Sequence, residues 1–218
     1  EDAPAAAEVC QSFALDNGAF SAWRSGSPVT DWSGYYAFVD EWRAHPAFDW
    51  AIIPDVIDGT EKDNDELLVE WSSRVWRAVY LGVPVWHLHE SLERLSRLVL
   101  SWPRVALGSS GDYATIGTDR WKDRMTEAMR IACDDRGRPR AKLHGLRMLD
   151  PAVFSKYPFA SADSTNAVRN ASNLSRFGSY KPPHHSARVA TIADRIELHQ
   201  SAAAWIESQD EQFSLFSC

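Results

Sequence analysis

Three features of the sequence predict an α/β fold, a TIM-type (β/α) barrel built as a single domain over 1–218. Short β-like runs alternate with helix-like amphipathic stretches along the chain, the pattern of a parallel sheet with crossover helices. Polar residues cluster just after the β-like runs, on the rim where such an architecture keeps its chemistry. The 218 residues, 44% of them hydrophobic, suffice for one core of that kind, although most complete barrels are longer.

The first strand, Ser12 to Leu15, is a short apolar run ending in Asp16-Asn17-Gly18, three turn-formers in a row. Asp31 to Ala44 follows as a helix opened by an Asp in a capping position. Trp50 to Pro54 is the second strand and empties into Asp55 and Asp58. Asn64 to Leu81 reads as a helix with Asn64 at its start, and Pro84 to Leu88 as a strand with His87, His89 and Glu90 at its end. A Ser-capped helix from Ser91 to Ser101 leads to the strand Arg104 to Leu107 and then to Gly108-Ser109-Ser110-Gly111-Asp112. Asp119 to Ala132 is helical, Lys142 to Leu146 is a strand carrying His144-Gly145, and Pro151 to Lys156 is a short helix. The sixth strand, Phe159 to Ala162, delivers Asp163-Ser164-Thr165. Ser172 to His185, rich in Ser, Gly and Pro, is a long loop, and His184 to Ser208 makes a closing helix. The ten Trp sit mostly inside these stretches and are core and rim filling.

Composition narrows the chemistry. Cys10, Cys133 and Cys218 form neither a CxxC pair nor an even disulfide set, so a structural zinc or disulfide scaffold is not expected and a reducing cytoplasm fits best. The acidic start, Glu1 to Glu8, lacks the basic and apolar regions of a signal peptide, and no run approaches a membrane helix; a soluble protein with no membrane partner is expected. The net charge of −7 is unevenly spread: −12 over residues 1–70 against +5 over 71–218. Between Ser164 and Ala193 there is no acid, while Arg169, Arg176, Lys181 and Arg188 stand there with His184 and His185, a stretch fit to face a polyanion.

Asp163 is the foremost candidate for catalysis, because an apolar run delivers its carboxylate into a polar turn, where a barrel enzyme keeps a nucleophile. Asp16 is presented in the same way far upstream. Two acids at strand ends point to glycosyl-transfer chemistry.

As a set and in order, these motifs resemble the tRNA-guanine transglycosylases, most closely the small phage-type relatives that insert 7-deazaguanines into DNA. The resemblance covers roughly Ser12 to Asn170. Leu15-Asp16-Asn17-Gly18-Ala19-Phe20 looks like the family's Asp-Ser-Gly-Gly-Phe motif, which implies proton transfer by Asp16 and base contacts from Asn17 and Phe20. Pro54-Asp55 resembles the strand-end Asp that reads the edge of guanine. The segment Pro84 to Glu90 is similar to the one carrying a base-binding Gln or His, which implies His87 and, after it, His89. Val105 to Ser110 looks like the Gly-rich strand end whose backbone contacts the base at Gly108, Ser109 and Ser110, and Ala162-Asp163-Ser164 resembles the nucleophile motif.

The resemblance implies a pentosyltransferase that needs no cofactor. Ionised Asp163 attacks C1′ of a guanosine in nucleic acid, Asp16 shuttles the proton, and a 7-deazaguanine takes guanine's place. DNA is favoured over tRNA, and a duplex must have its base flipped out. Arg169, Asn170, Arg176 and Lys181 are the expected nucleic-acid contacts, and for a phage-type protein the compartment is the host cytoplasm. Two departures stand out. The tRNA enzymes' Cys-rich zinc site has no counterpart, since only Cys218 follows Cys133. Family barrels also place about two strands before the Asp16 strand, whereas eleven residues precede Ser12. The barrel is therefore expected to be incomplete, to lack its first strands, or to be closed by another segment, a second copy or a partner chain. A rival reading takes His87, His89, His144 and Asp163 as divalent-metal ligands of an amidohydrolase-like barrel. A third is a catalytically silent nucleic-acid-binding barrel.

Overall fold

The computed structural model describes residues 8, 10–179 and 181–207; Cys218 and Ser208, the expected end of the closing helix, lie outside them. Among these residues seven parallel strands form the sheets. β1 (Phe13–Leu15), β2 (Phe48–Ile52) and β3 (Gly82–Val83) pair in that order, and β4 (Val85–His87), β5 (Arg104–Gly108), β6 (Lys142–Gly145) and β7 (Phe159–Ala162) pair in theirs. Pro84 is the seam. It has no N–H to offer the ladder, but the carbonyls on either side of the seam are used: Val83 accepts from Ile53 and Pro84 from Ala106, both at 2.9 Å. The chain thus passes its pairing from β2 to β5 within one extended run, and the strand predicted over Pro84 to Leu88 begins two residues earlier, at Gly82.

Between the strands run the helices α1 (Ala19–Arg24), α2 (Ser33–Trp42), α3 (Glu61–Arg74), α4 (Leu92–Ser101), α5 (Asp119–Ala132), α6 (Pro151–Phe154), α7 (Asn166–Asn170) and α8 (His185–Glu197). The predicted alternation holds. A helix over Asn64 to Leu81 does not: Thr60 opens α3 with a capping box, its Oγ1 accepting from Asp63 N while its own N–H donates to Asp63 Oδ2 at 2.8 Å. Asn64 is turned inward instead, bonded to Val56 and to Glu90. After Arg74 the chain tightens into a 3₁₀ turn over Trp76–Leu81. The closing helix ends at Glu197, and the expected loop over Ser172 to His185 contains a 3₁₀ turn at Leu174–Phe177.

Side chains alternate across the sheet with the period of two that strands impose. Ala51 on β2 and Ile53 just past its end face a cluster with Tyr36, Val39 and Trp71 from α2 and α3. Trp50 and Ile52 face the other way, onto Val83, Val85 and Ala106. A larger cluster packs α4 and α5 on the outer face of β4–β6, where buried Leu95, Met125 and Met129 each contribute roughly 1.5–3 kcal/mol.

The sheet curves strongly. Along the ladder β6 lies three strand spacings from β2, about 14 Å in a flat sheet, yet the Trp50 and His144 rings meet at 4.8 Å. Arg104 of β5 likewise lies over the Trp50 ring, 4.9 Å from its centroid. Among the described residues β1 and β7 remain unpaired edges, so the sheet is mixed with helices as an α/β fold but does not close into a barrel. No helix among them is long and apolar enough to cross a membrane.

Candidate active site at the strand ends

The curvature brings the carboxyl ends of the strands around one cavity of about 670 Å³. Its apolar wall comes from Ile52, Ile57 and Leu146, and its polar groups from the turns after β1, β2, β4, β5, β6 and β7.

Part of the lining is a fixed hydrogen-bonded triad. Asp55, buried after β2, accepts from His87 Nε2 at 2.9 Å through Oδ2 and from Asn17 Nδ2 at 2.7 Å through Oδ1. Asn17 also donates to the Ile53 carbonyl at 3.0 Å, which ties the β1 turn to β2. Because an ionised carboxylate only accepts, His87 is the donor of this bond, through Nε2. Nδ1 is buried without a partner among the described residues, against Gly108, where an added Cβ would stand 3.0 Å from it. The His87 backbone is held from behind: its N–H donates to Glu90 Oε2 at 2.9 Å, and Arg94 Nη1 donates to the same oxygen at 2.6 Å and to Val85 O at 2.8 Å. Ser109 Oγ accepts from Trp121 Nε1 at 2.9 Å, so the turn after β5 is anchored to α5.

The cavity also holds two further acids, Asp163 and Asp16. Asp163 follows β7, its N–H donating to Gly145 O at 3.2 Å and its carbonyl accepting from Leu149 N at 2.9 Å, so its place is fixed by backbone pairing. Oδ1 accepts from the backbone N–H of Arg147; Oδ2 lies 3.9 Å from His144 Nε2. The side chain is half-exposed, and partial burial raises its pKa from the ordinary carboxylate value, against the pull of the Arg147 N–H and guanidinium. Asp16 is raised as well: burial acts first, opposed by the Gly18 and Asn17 N–H groups and reinforced by the charges of Asp163 and Asp55. Beneath Asp163, His144 takes Ser161 Oγ at 2.9 Å on Nδ1, and burial, with help from Arg104, lowers its pKa to about 4, so the ring is neutral.

Of the residues singled out from sequence, Asp16, Asn17, Phe20, Asp55, His87, Gly108, Ser109, Ser110, Asp163 and Arg169 line this cavity. His89 does not; it stacks on His87 at 5.6 Å and bonds Ser110 Oγ at 2.8 Å, supporting the wall from outside. Asn170, Arg176 and Lys181 also lie off the lining, Arg176 and Lys181 being exposed on the segment beyond α7. Arg188 is unavailable to a polymer, since its guanidinium donates to the carbonyls of Ala171, Pro182 and Pro183. The rival ligand set is not assembled: His87 is committed to Asp55 and His89 to Ser110, and among the described residues no group of three His, Cys, Asp or Glu could hold a metal ion.

Arg147 and Arg24 were not legible as site residues. Arg147 is the sole non-glycine at positive φ among the described residues (61°); its guanidinium donates to Ser109 O and stacks over Phe20 at 4.1 Å. A left-handed backbone at Arg leaves no mark in sequence, although its place just past a strand end, after His144-Gly145, was a hint.

Fold and cavity together define an α/β protein with a cavity lined by three carboxylates, Asp16, Asp55 and Asp163, at the C-terminal edge of a curved parallel sheet. No family model, curated protein or solved structure matches the chain.

Proposed function

We propose that the chain is a guanine transglycosylase acting on nucleic acid, DNA before tRNA, that replaces guanine with a 7-deazaguanine through a covalent Asp163 intermediate. The observation that carries this reading is the meeting of Asp163 and Asp16 in one cavity, close enough that the charge of Asp163 raises the Asp16 pKa. Strand ends gathered on one rim of a curved parallel sheet support the further reading that the fold is an incomplete (β/α) barrel.

The chemistry follows from the partners of each acid. Oδ1 of Asp163 is engaged by the Arg147 N–H, which leaves Oδ2 to attack C1′ as the bond from C1′ to the purine nitrogen breaks. Protonated Asp16 gives its proton to the departing guanine. The ionised Asp16 then takes the ring-nitrogen proton of the incoming 7-deazaguanine, whose nitrogen forms the new bond to C1′ while the Asp163 ester breaks. Retention of configuration follows from two displacements on one carbon. The Asp55–His87–Asn17 triad, with its unpartnered Nδ1, and the backbone of Gly108 to Ser110 are the groups on hand to read a purine edge.

Labelled guanine and labelled 7-deazaguanines, each incubated with the protein and either duplex DNA or tRNA, test the proposal. Label should enter DNA, more slowly tRNA, and neither polymer should be cut. Label in no polymer would refute the reading.

A further inference from the structure

Besides the Asp55–His87–Asn17 triad, three guanidinium groups from three separate elements line the cavity: Arg24 at the end of α1, Arg147 after β6, whose backbone N–H holds Asp163, and Arg169 in α7. Arg24 and Arg169 are exposed and enter no ion pair among the described residues, and of the five N–H donors of Arg147 one goes to Ser109 O. Arg24 and Arg147 feel each other: burial lowers the Arg147 pKa, the Asp163 charge opposes it, and the Arg24 charge lowers it further. Three guanidiniums with one nearby carboxylate between them, Asp163 beside Arg147, favour an anion that bridges them.

Backbone strain points the same way. The turn after β6 places residue 147 in the left-handed region, which glycine adopts freely and arginine does not. The N–H that holds Asp163 is a backbone group that glycine would supply equally well, so the arginine side chain must serve something the turn does not need. That side chain is laid along Phe20, which aims it across the cavity.

We propose that Arg147, Arg24 and Arg169 form a phosphate subsite that seats the phosphodiesters flanking the nucleoside whose base lies toward Asp55 and His87. The subsite rests on the base-exchange reading for the identity of that nucleoside, and it makes the substrate a nucleotide unit within a polymer rather than a free nucleoside. Planar guanidinium forks suit the bidentate recognition of phosphate oxygens, and a flipped nucleotide would carry its own charges to the rim as its base went down.

Calorimetric titration of the full chain with guanosine and with guanosine 3′,5′-bisphosphate tests this, the ratio of the two dissociation constants being the readout. The ratio should be at least about tenfold in favour of the bisphosphate and should shrink with added salt. Arg147→Gly, which relieves the positive φ and keeps the N–H to Asp163, should cut it severalfold, and Arg24→Ala with Arg169→Ala should bring it close to one. Bisphosphate that binds no better than guanosine, or a ratio untouched by these variants, would overturn the subsite whatever the exchange assay gives. A retained ratio in a protein that exchanges no base would leave the subsite standing and remove the transglycosylase reading. Titration with inorganic phosphate distinguishes a free-anion site, since phosphate binding as tightly as the bisphosphate would also overturn the proposal.

Discussion

Asp163 of the cavity and His144 behind it stand close, Oδ2 of the acid 3.9 Å from Nε2 of a buried ring whose pKa is lowered to about 4. The unfolded histidine titrates near 6.5, so the folded protein resists a proton that the unfolded chain accepts. Stability on this account is intact above pH 6.5 and is lost as pH falls toward 4, by about 3 kcal/mol for this one ring. Denaturant unfolding at pH 7 and pH 4 in wild type and His144→Asn, whose amide keeps a partner for Ser161, should show that loss shrinking in the variant. An identical pH dependence would remove His144 as its source.

The pH profile of base exchange should carry both acids. Asp163 must be ionised and Asp16 protonated, and both pKa values are raised. Burial raises each, opposed at Asp163 by the Arg147 N–H and guanidinium and at Asp16 by the Gly18 and Asn17 N–H groups, and the proposed mechanism requires Asp163 to lose its proton first. A bell is expected, its acid limb above the ordinary Asp value and its alkaline limb set by Asp16. Asp16→Asn should lower kcat by about 10²–10⁴-fold and erase the alkaline limb.

The strands were legible because most are short apolar runs closed by Gly, Pro or Asp, and all six predicted runs contain strands. Helix starts were less so. Thr60 and Asn64 both suit a cap, and the choice between them depends on Glu90, 26 residues further along the chain, which claims the Asn64 amide. The helix Ala19–Arg24 was hidden behind Asp-Asn-Gly, whose Gly18 takes the left-handed conformation and turns straight into it. In the site, residues marked by a strand end were found, whereas the role of Arg147, set by its backbone angle, and the contact of Trp50 with His144, set by the curvature, needed the fold.

The buried Arg94–Glu90 pair positions the His87 backbone and should behave as a unit. Arg94→Met strands Glu90 and should cost about 3–5 kcal/mol in denaturant unfolding. Removing both charges, as Arg94→Met with Glu90→Gln, should recover most of that loss. Additive losses in the double variant would contradict the coupling.

The basic stretch beyond α7 should anchor the polymer. Arg169→Ala, Arg176→Ala and Lys181→Ala together should weaken DNA binding and flatten its salt dependence by up to about three units of slope, since each phosphate contact contributes roughly 0.9. An unchanged slope in fluorescence titrations across salt would move the contact elsewhere, to Arg136, Arg138 and Arg140.

The most direct test of the account is the fate of C1′ at Asp163. Wild-type protein incubated with guanine-containing DNA and no incoming base should yield, after quenching and proteolysis, a peptide that contains Asp163 and is covalently joined to the DNA, and labelled 7-deazaguanine should chase it into modified DNA. Asp163→Asn should form no adduct and lose at least about a thousandfold in exchange. An adduct on another residue, or exchange by Asp163→Asn at the wild-type rate, would contradict it.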